Sequence, residues 1–525
     1  MNSELEGVGI SLLEKGRKGV ISAVFSRFGL IVILLLLQVG ILIGIFRWFG
    51  DFLPHIYGLT IVLAFSMIVY LLNSRMDPTA KLTWLVVIML MPFFGALLFL
   101  FVQSDLGHRA LKRRVKNTIE ESREMIPYMP ETMKKLQEEN PNVASLAKYI
   151  DRTGCFPVYD DTKVTYFPLG EDKFDAMLRQ LDQAKDFIFL EYFIIDEGVM
   201  WGHVLEILAE KAAAGVDVRV MYDGTCEFSL LSHDYPQRLE KLGIKCKMFA
   251  PVQPFVSTHY NYRDHRKILV IDGKVAFNGG INLADEYINR KERFGHWKDT
   301  AVMLEGEAAR SFALMFLQMW SLGEKYPEYT PYLDAPVHFE HEPKGFVIPY
   351  GDCPVDDEKV GKQVYMDILN RAQEYVHFMT PYLILDGDME NAIKFAAERG
   401  VDVRIILPGI PDKEIPYALA WTHYRSLLDS GVKLYEYTPG FVHAKVAVSD
   451  GREAVVGTIN LDYRSLYHHF ECATYMYKVD CISDIEADFQ ATQAKCRTVT
   501  YEAIKNESLK RKVTGIMMKL IAPLM

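Results

Sequence analysis

Two segments of this 525-residue chain obey one rule, H-x-K-x-x-x-x-D-x(6)-G-x-x-N: His265, Lys267, Asp272, Gly279 and Asn282 in the first, and His443, Lys445, Asp450, Gly457 and Asn460 in the second. The duplication reaches beyond the motifs. GVDVR stands at 215–219 and again at 400–404, and the strand-like runs FIFLEYFII from Phe187 and LGIKCKMF from Leu242 have counterparts in VHFMTPYLI from Val376 and SGVKLYEY from Ser430. Each copy follows its partner by about 185–189 residues, so only loop-sized changes separate the two. In both, short β-branched or aromatic runs alternate with helix-period segments, the pattern of α/β layers. Two similar α/β halves with mixed sheets flanked by helices are therefore expected, over 150–340 (motif segment 259–286) and 341–500 (motif segment 437–464).

The spacing has a chemical sense. His265 and Lys267 are two apart on a β-rich run, which sends both side chains to one sheet face, and Asp272-Gly273 has the composition of a tight hairpin turn. His443, Lys445 and Asp450-Gly451 repeat that arrangement. Two imidazoles with two ammoniums suit displacement at a phosphodiester. One neutral histidine attacks phosphorus to form a phosphohistidine; the other, protonated, donates to the departing alkoxide and later takes a proton from the incoming hydroxyl. Lys267, Lys445, Asn282 and Asn460 are expected to hold the non-bridging oxygens as charge develops. The cations are built in, so neither metal nor cofactor is expected. The two aspartates suit backbone bonding at a turn at least as well as direct chemistry. A nucleophilic imidazole also needs a carboxylate to fix its tautomer; Asp299 and Glu471 are the candidates, and each reads equally well as a solvated surface acid.

Composition bounds the partners. With 50% hydrophobic residues, 24% charged residues and a net charge of −10, the chain is too apolar for disorder and too acidic to bind nucleic acid through overall basicity. Seven scattered cysteines with no C-x-x-C pair predict neither a disulfide framework nor a structural metal, and fit a reducing compartment.

The amino-terminal fifth is of another kind. After an extension over 1–27, the region 28–103 contains three uncharged stretches, 28–46, 56–72 and 82–102, each matched in length to about 30 Å of hydrocarbon. Three transmembrane spans are expected, or two with one interfacial segment, since Pro92 and Gly95 interrupt the third. Basic residues divide evenly between the two sides, so the positive-inside rule selects neither orientation. Cysteine usage and the lack of an export signal point to a multi-pass cell-membrane protein with a cytoplasmic catalytic part. Residues 104–149 read as a polar helical linker. In the tail, 501–525, Leu509, Val513, Ile516, Met517, Leu520 and Leu524 recur at helical spacing among Lys510, Arg511, Lys512 and Lys519. Such a basic amphipathic helix suits an anionic bilayer or the surface of the domain.

The paired motifs resemble those of the phospholipase D superfamily. The hydrophobic amino terminus, G-G-x-N-L-x-D-E-Y at 279–287, G-T-x-N-L-D-x-R-S at 457–465 and the terminal P-L-M resemble bacterial cardiolipin synthases over residues 75 to 525. That resemblance implies transfer of a phosphatidyl group from one phosphatidylglycerol to a hydroxyl of another, with both motifs meeting in one site. It also implies catalytic roles for His265, Lys267, Asp272, His443, Lys445 and Asp450, with His265 as nucleophile. Such synthases commonly show a two-helix membrane hairpin, from which a third stretch departs. The competing readings are a membrane-bound phosphodiesterase, in which water resolves the intermediate, and a non-catalytic adaptor for anionic lipids.

Overall fold

The structure, a computed structural model, describes residues 53–524 except 75, 104–105, 229, 251–261, 323, 325, 334–342 and 357, together with 36, 37, 39, 40 and 44. These divide into a helical amino-terminal unit, which includes the last residues from Met517, and a larger unit formed by 111–252 and 261–516.

The larger unit contains the duplication. Its first half supplies β1 (Thr162–Phe167), β2 (Phe187–Tyr192), β3 (Asp217–Asp223), β4 (Lys245–Phe249), β5 (Arg263–Asp264), β6 (Lys267–Ile271), β7 (Val275–Gly279), β8 (His296–Lys298) and β9 (Ala301–Gly306). The second supplies β10 (Phe346–Asp352), β11 (Tyr375–Met379), β12 (Asp402–Pro408), β13 (Lys433–Tyr437), β14 (Gly440–Val442), β15 (Val446–Ser449), β16 (Glu453–Gly457), β17 (His469–Tyr477) and β18 (Cys496–Thr498). The first sheet runs β1-β9-β7-β6-β2-β3-β4; the second repeats that order as β10-β17-β16-β15-β11-β12-β13 and adds β18. In both, the strands around GVDVR pair in parallel and the motif hairpins pair antiparallel. The expected α/β architecture of two mixed sheets is observed.

Period-two alternation decides what each sheet covers. Phe187, Phe189, Ile268 and Val270 face a core that also takes in Val376, Phe378, Ala447 and Val455 of the second sheet. Ile188, Leu190, Leu269 and Ile271 face a separate apolar layer on the other side. The helix Ala309–Trp320 is buried along its whole length and packs against β2, β6 and β10, so it joins the two sheets. A helix apolar all round needs such a place.

Several expectations change. The polar stretch 104–149 is helical but is no free linker: within it and just beyond, Leu136, Val143, Ala147 and Ile150 are buried in the shared core. Asn140 caps the helix Pro141–Gly154 by accepting from the N–H groups of Asn142 and Val143, and its Nδ2 donates to Tyr477 of β17 at 3.2 Å. The extension 1–27 and most of the stretch 28–46 lie outside the described residues. The stretch 56–72 lies within the helix Leu53–Asn73. The stretch 82–102 is not one span: Pro92, which cannot donate to the preceding turn, separates the helix Pro78–Leu90 from Pro92–Gln103. Over the residues whose side chains are described, no helix is long and apolar enough to cross a membrane. In the tail, a Cβ at Gly515 would come within 2.4 Å of the Ala418 carbonyl, so the helix Leu509–Lys519 rests on the domain there while Leu509, Val513 and Ile516 stay exposed.

Because the helix Pro141–Gly154 belongs to the core, Ile150→Ala should cost about 2–5 kcal/mol. A clear fall in the midpoint of thermal unfolding is expected; an unchanged midpoint would show that the segment hangs free.

Candidate active site

Each motif histidine sits where the chain crosses from one half to the other. β5 pairs in parallel with β17 of the second half, and β6, two residues on, pairs with β2 and β7 of the first. His265 lies between them, and its backbone N–H donates to the carbonyl of Phe470 at 3.0 Å. The other motif mirrors this: β14 pairs in parallel with β8 of the first half, β15 pairs with β11 and β16 of the second, and the N–H of His443 donates to the carbonyl of Lys298 at 2.7 Å. The β-rich run expected to carry each histidine together with its lysine is instead interrupted at His265 and at His443 by the crossing.

The crossings exchange the carboxylates. His265 Nδ1 lies 2.9 Å from both Glu471 oxygens, and His443 Nδ1 lies 2.6 Å from Asp299 Oδ2. Both of these pairs join one half to the other, and both carboxylates are fully buried. With Nδ1–H donating to the acid, Nε2 is left for substrate. The two acids are supported differently. A Cβ at Gly280 would fall 2.1 Å from Asp299 Oδ1, so only glycine admits that carboxylate, whereas Thr458, at the equivalent position, donates its hydroxyl to Glu471.

The two lysines complete a buried cationic cluster. Lys267 Nζ donates to the carbonyl of His265 at 2.6 Å and lies 5.3 Å from the centre of the Phe193 ring; Lys445 donates to the carbonyl of His443. Burial, then the charges of Lys267, Lys445 and His443, hold His265 far below the usual imidazole range. Burial and Lys445 hold His443 down to about 4 against the pull of Asp299. Burial lowers Lys267 to about 8 and Lys445 to about 7. The interaction of His265 with His443 and Lys445 brings the two motifs into one electrostatic site.

Other expected site residues stand elsewhere. Asp272 and Asp450 occupy hairpin turns with φ of 52° at each, followed by Gly273 and Gly451 at 65° and 64°. Asp272 accepts from the N–H groups of Lys185, Asp186 and Phe187, and Asp450 from those of Gln373, Glu374 and Tyr375, all at 2.8–2.9 Å. Each lies at the far end of its strand, about 15 Å from the lysine of its motif. These bonds give both aspartates a positioning role: they anchor the motif hairpin to the start of β2 or β11. Asn282 is similarly committed, accepting from Ile194 N–H and donating to the Tyr287 hydroxyl. Asn460 is buried and its Oδ1 has no hydrogen-bond partner. Of the rings around the site, Tyr287 closes the G-G-x-N-L-x-D-E-Y run, whereas Phe193, Trp297 and His469 escape motif reading, although Trp297 and His469 each lie two residues before a carboxylate.

The anchoring of the turns has a direct test. Asp450→Asn has one acceptor oxygen in place of two, leaving at least one amide poorly paired at a cost of about 1–3 kcal/mol. Thermal unfolding should register that loss, and a midpoint unchanged from the parent would contradict the positioning role.

Comparisons with known proteins agree with this arrangement. A family model described as cardiolipin synthase, PLD-like domain, matches residues 177–320 and 365–493, once in each half, and one described as phospholipase D-nuclease N-terminal matches 59–103. An uncharacterised protein of Streptococcus mutans is 59% identical over 87% of this chain and 99% of its own length. A cardiolipin synthase of Halalkalibacterium halodurans is 32% identical over 95% of this chain and all of its own length. The crystal structure of phosphatidylserine synthase from Haemophilus influenzae shares the fold, with a TM-score of 0.56 at 15% identity over 73% of this chain and 98% of that one.

Proposed function

The chain belongs to the PLD-like family of cardiolipin synthases, and from that premise we propose that it is a membrane-associated phosphatidyltransferase, joining two phosphatidylglycerol molecules into cardiolipin and releasing glycerol. The observation that carries the reading is the pair of crossed contacts, His265 with Glu471 and His443 with Asp299. Simple binding of an anionic headgroup needs cations but no such carboxylate-oriented imidazoles.

The steps follow from the charges. His265, kept neutral by its surroundings, attacks phosphorus through Nε2; a P–N bond forms as the P–O bond to the glycerol headgroup breaks. His443 carries the proton given to the departing alkoxide. The incoming phosphodiester brings the negative charge that the cluster lacks, and so favours the protonated form of His443 where the empty site disfavours it. Lys267 and Lys445 offset charge on the non-bridging oxygens. In the second step a hydroxyl of another phosphatidylglycerol attacks phosphorus, passes its proton to His443, and displaces His265.

Association with lipid has its own support. In the amino-terminal unit, Leu59, Val62, Phe65, Leu72, Met89 and Leu90 are exposed apolar residues. A surface of that kind fits hydrocarbon better than water. In the tail helix, the exposed apolar residues Leu509, Val513 and Ile516 stand beside Lys510 and Lys512, which suits an anionic bilayer surface.

Purified protein in vesicles of labelled phosphatidylglycerol should yield cardiolipin and glycerol in equal amounts. Phosphatidic acid as the only lipid product would instead identify a hydrolase, and absence of turnover an adaptor. Protein quenched in denaturant at neutral to mildly alkaline pH, where the P–N bond survives, should carry the label on His265, with none in His265→Ala, and His443→Ala should lower turnover by about 10²–10⁴-fold.

The pH dependence follows from the lysines. Both are charged below their lowered values, about 7 for Lys445 and about 8 for Lys267, and lose charge above them. Thus kcat/KM should fall on the alkaline side with a limb between about pH 7 and 8. Lys445→Arg keeps its charge there and should move the limb upward; an unmoved limb would remove Lys445 from phosphate binding.

A further inference from the structure

His469 is a third imidazole in the site, and the phosphohistidine mechanism makes no use of it. It is buried, its ring lies 5.3 Å from that of His265 and 6.5 Å from that of Phe193, and neither of its nitrogens has a hydrogen-bond partner. Nδ1 stands 3.6 Å from Glu471 Oε1, beyond hydrogen-bond reach. Burial holds the ring down to about 3, so it is neutral at working pH and offers one N–H donor. The equivalent position of the other half is Trp297, two residues before Asp299 as His469 is two before Glu471. Trp297 packs on His443 at 5.5 Å, is buried, and its indole N–H also has no partner. Each half thus lays an unpartnered N–H donor beside the catalytic imidazole of the other.

A buried donor left unpaired has given up its hydrogen bond to water without replacement, so two at pseudo-equivalent positions call for a ligand that both can reach. The ligand's charge follows from the field. His265, His469 and Glu471 approach one another closely enough to suggest a metal ion. However, Lys267 and Lys445 act on His265 and Arg464 acts on His469, and Glu471 already serves His265. That surround repels a cation and attracts an anion.

The geometry points to His469 and Trp297 as a pair of donors, one from each half, that hydrogen-bond the non-bridging oxygens of the phosphoryl group under attack. This rests on the phosphoryl-transfer reading of the site. The pair would act as an oxyanion hole, tightening as charge builds on those oxygens, while the lysines supply the wider field.

The test uses the full-length protein in detergent, with orthovanadate as the probe and calorimetric titration as the readout, beside turnover of phosphatidylglycerol and the midpoint of thermal unfolding. The parent protein should bind vanadate at one site. His469→Ala and Trp297→Phe, the latter keeping a ring but losing the donor, should each weaken binding about 10-fold or more and lower kcat by about 10²-fold. His469→Asn, which restores an N–H, should recover most of both; His469→Phe, which only fills the space, should recover neither. Parent-like vanadate binding in Trp297→Phe and His469→Ala would overturn the inference while leaving the phosphoryl site intact, as would rescue by phenylalanine and not by asparagine. If the parent itself binds no vanadate, the reading of the site as a phosphoryl site fails, and the inference with it.

Discussion

The crossed imidazole–carboxylate pairs are the constraint from which the rest of the larger unit follows. Asp299 can meet His443, and Glu471 can meet His265, only if the two halves are held in fixed register. Short parallel bridges provide it: β5 against β17 and β14 against β8, each ending one residue before a motif histidine. Each histidine is also tied through its backbone N–H to the residue just before its acid, Phe470 before Glu471 and Lys298 before Asp299. The buried helix Ala309–Trp320, shared by both sheets, gives this register an apolar foundation larger than the polar contacts alone would supply.

Burial both makes and limits the site. A cluster of two lysines and two imidazoles would repel itself apart if each held its ordinary charge, and burying that charge in a low-dielectric interior would cost more still. The cluster relieves this by shedding protons: both histidines are held neutral and both lysines are brought toward neutrality. The two buried acids supply the compensating charge. An overall acidic chain is therefore no obstacle to binding an anion, since the local field is set over a few ångströms and the net charge of −10 is spread over the surface.

Much of this was legible in the residues, and the illegible part has a physical explanation. The repeated α/β halves follow from periodicity, and the motif turns from Asp-Gly, whose backbone conformation is the left-handed one that this pair tolerates. Asp299 and Glu471 could be named as candidates, but which histidine each would serve depends on β5 and β14, strands of two and three residues whose partners lie in the other half. No local pattern records such pairing. The family resemblance gives the motif aspartates a catalytic label and the sequence expects Asn282 to hold phosphate oxygens; in the structure all three accept from backbone amides, and Asn282 also donates to Tyr287. The polarity of 104–149 suggested a linker because its charged positions are easily seen, while Leu136, Val143 and Ala147 form a narrow stripe that is enough to dock it.

The two halves are alike in path but not in detail, and the differences cluster at the chemistry. Gly280 faces Thr458 across the pseudo-symmetry, Asp299 faces Glu471, and Trp297 faces His469. His443 has the closer acid, at 2.6 Å; His265 lies 2.9 Å from a carboxylate that also accepts from Thr458. A perfectly symmetric site would give both imidazoles the same tendency to hold a proton and would leave the choice of nucleophile to chance. The proposed assignment puts the nucleophile at the imidazole whose carboxylate is shared with Thr458, His265, and the acid at the one with the closer carboxylate, His443. The unequal residues around a duplicated motif are where such a division of labour can arise, since duplication alone cannot supply it.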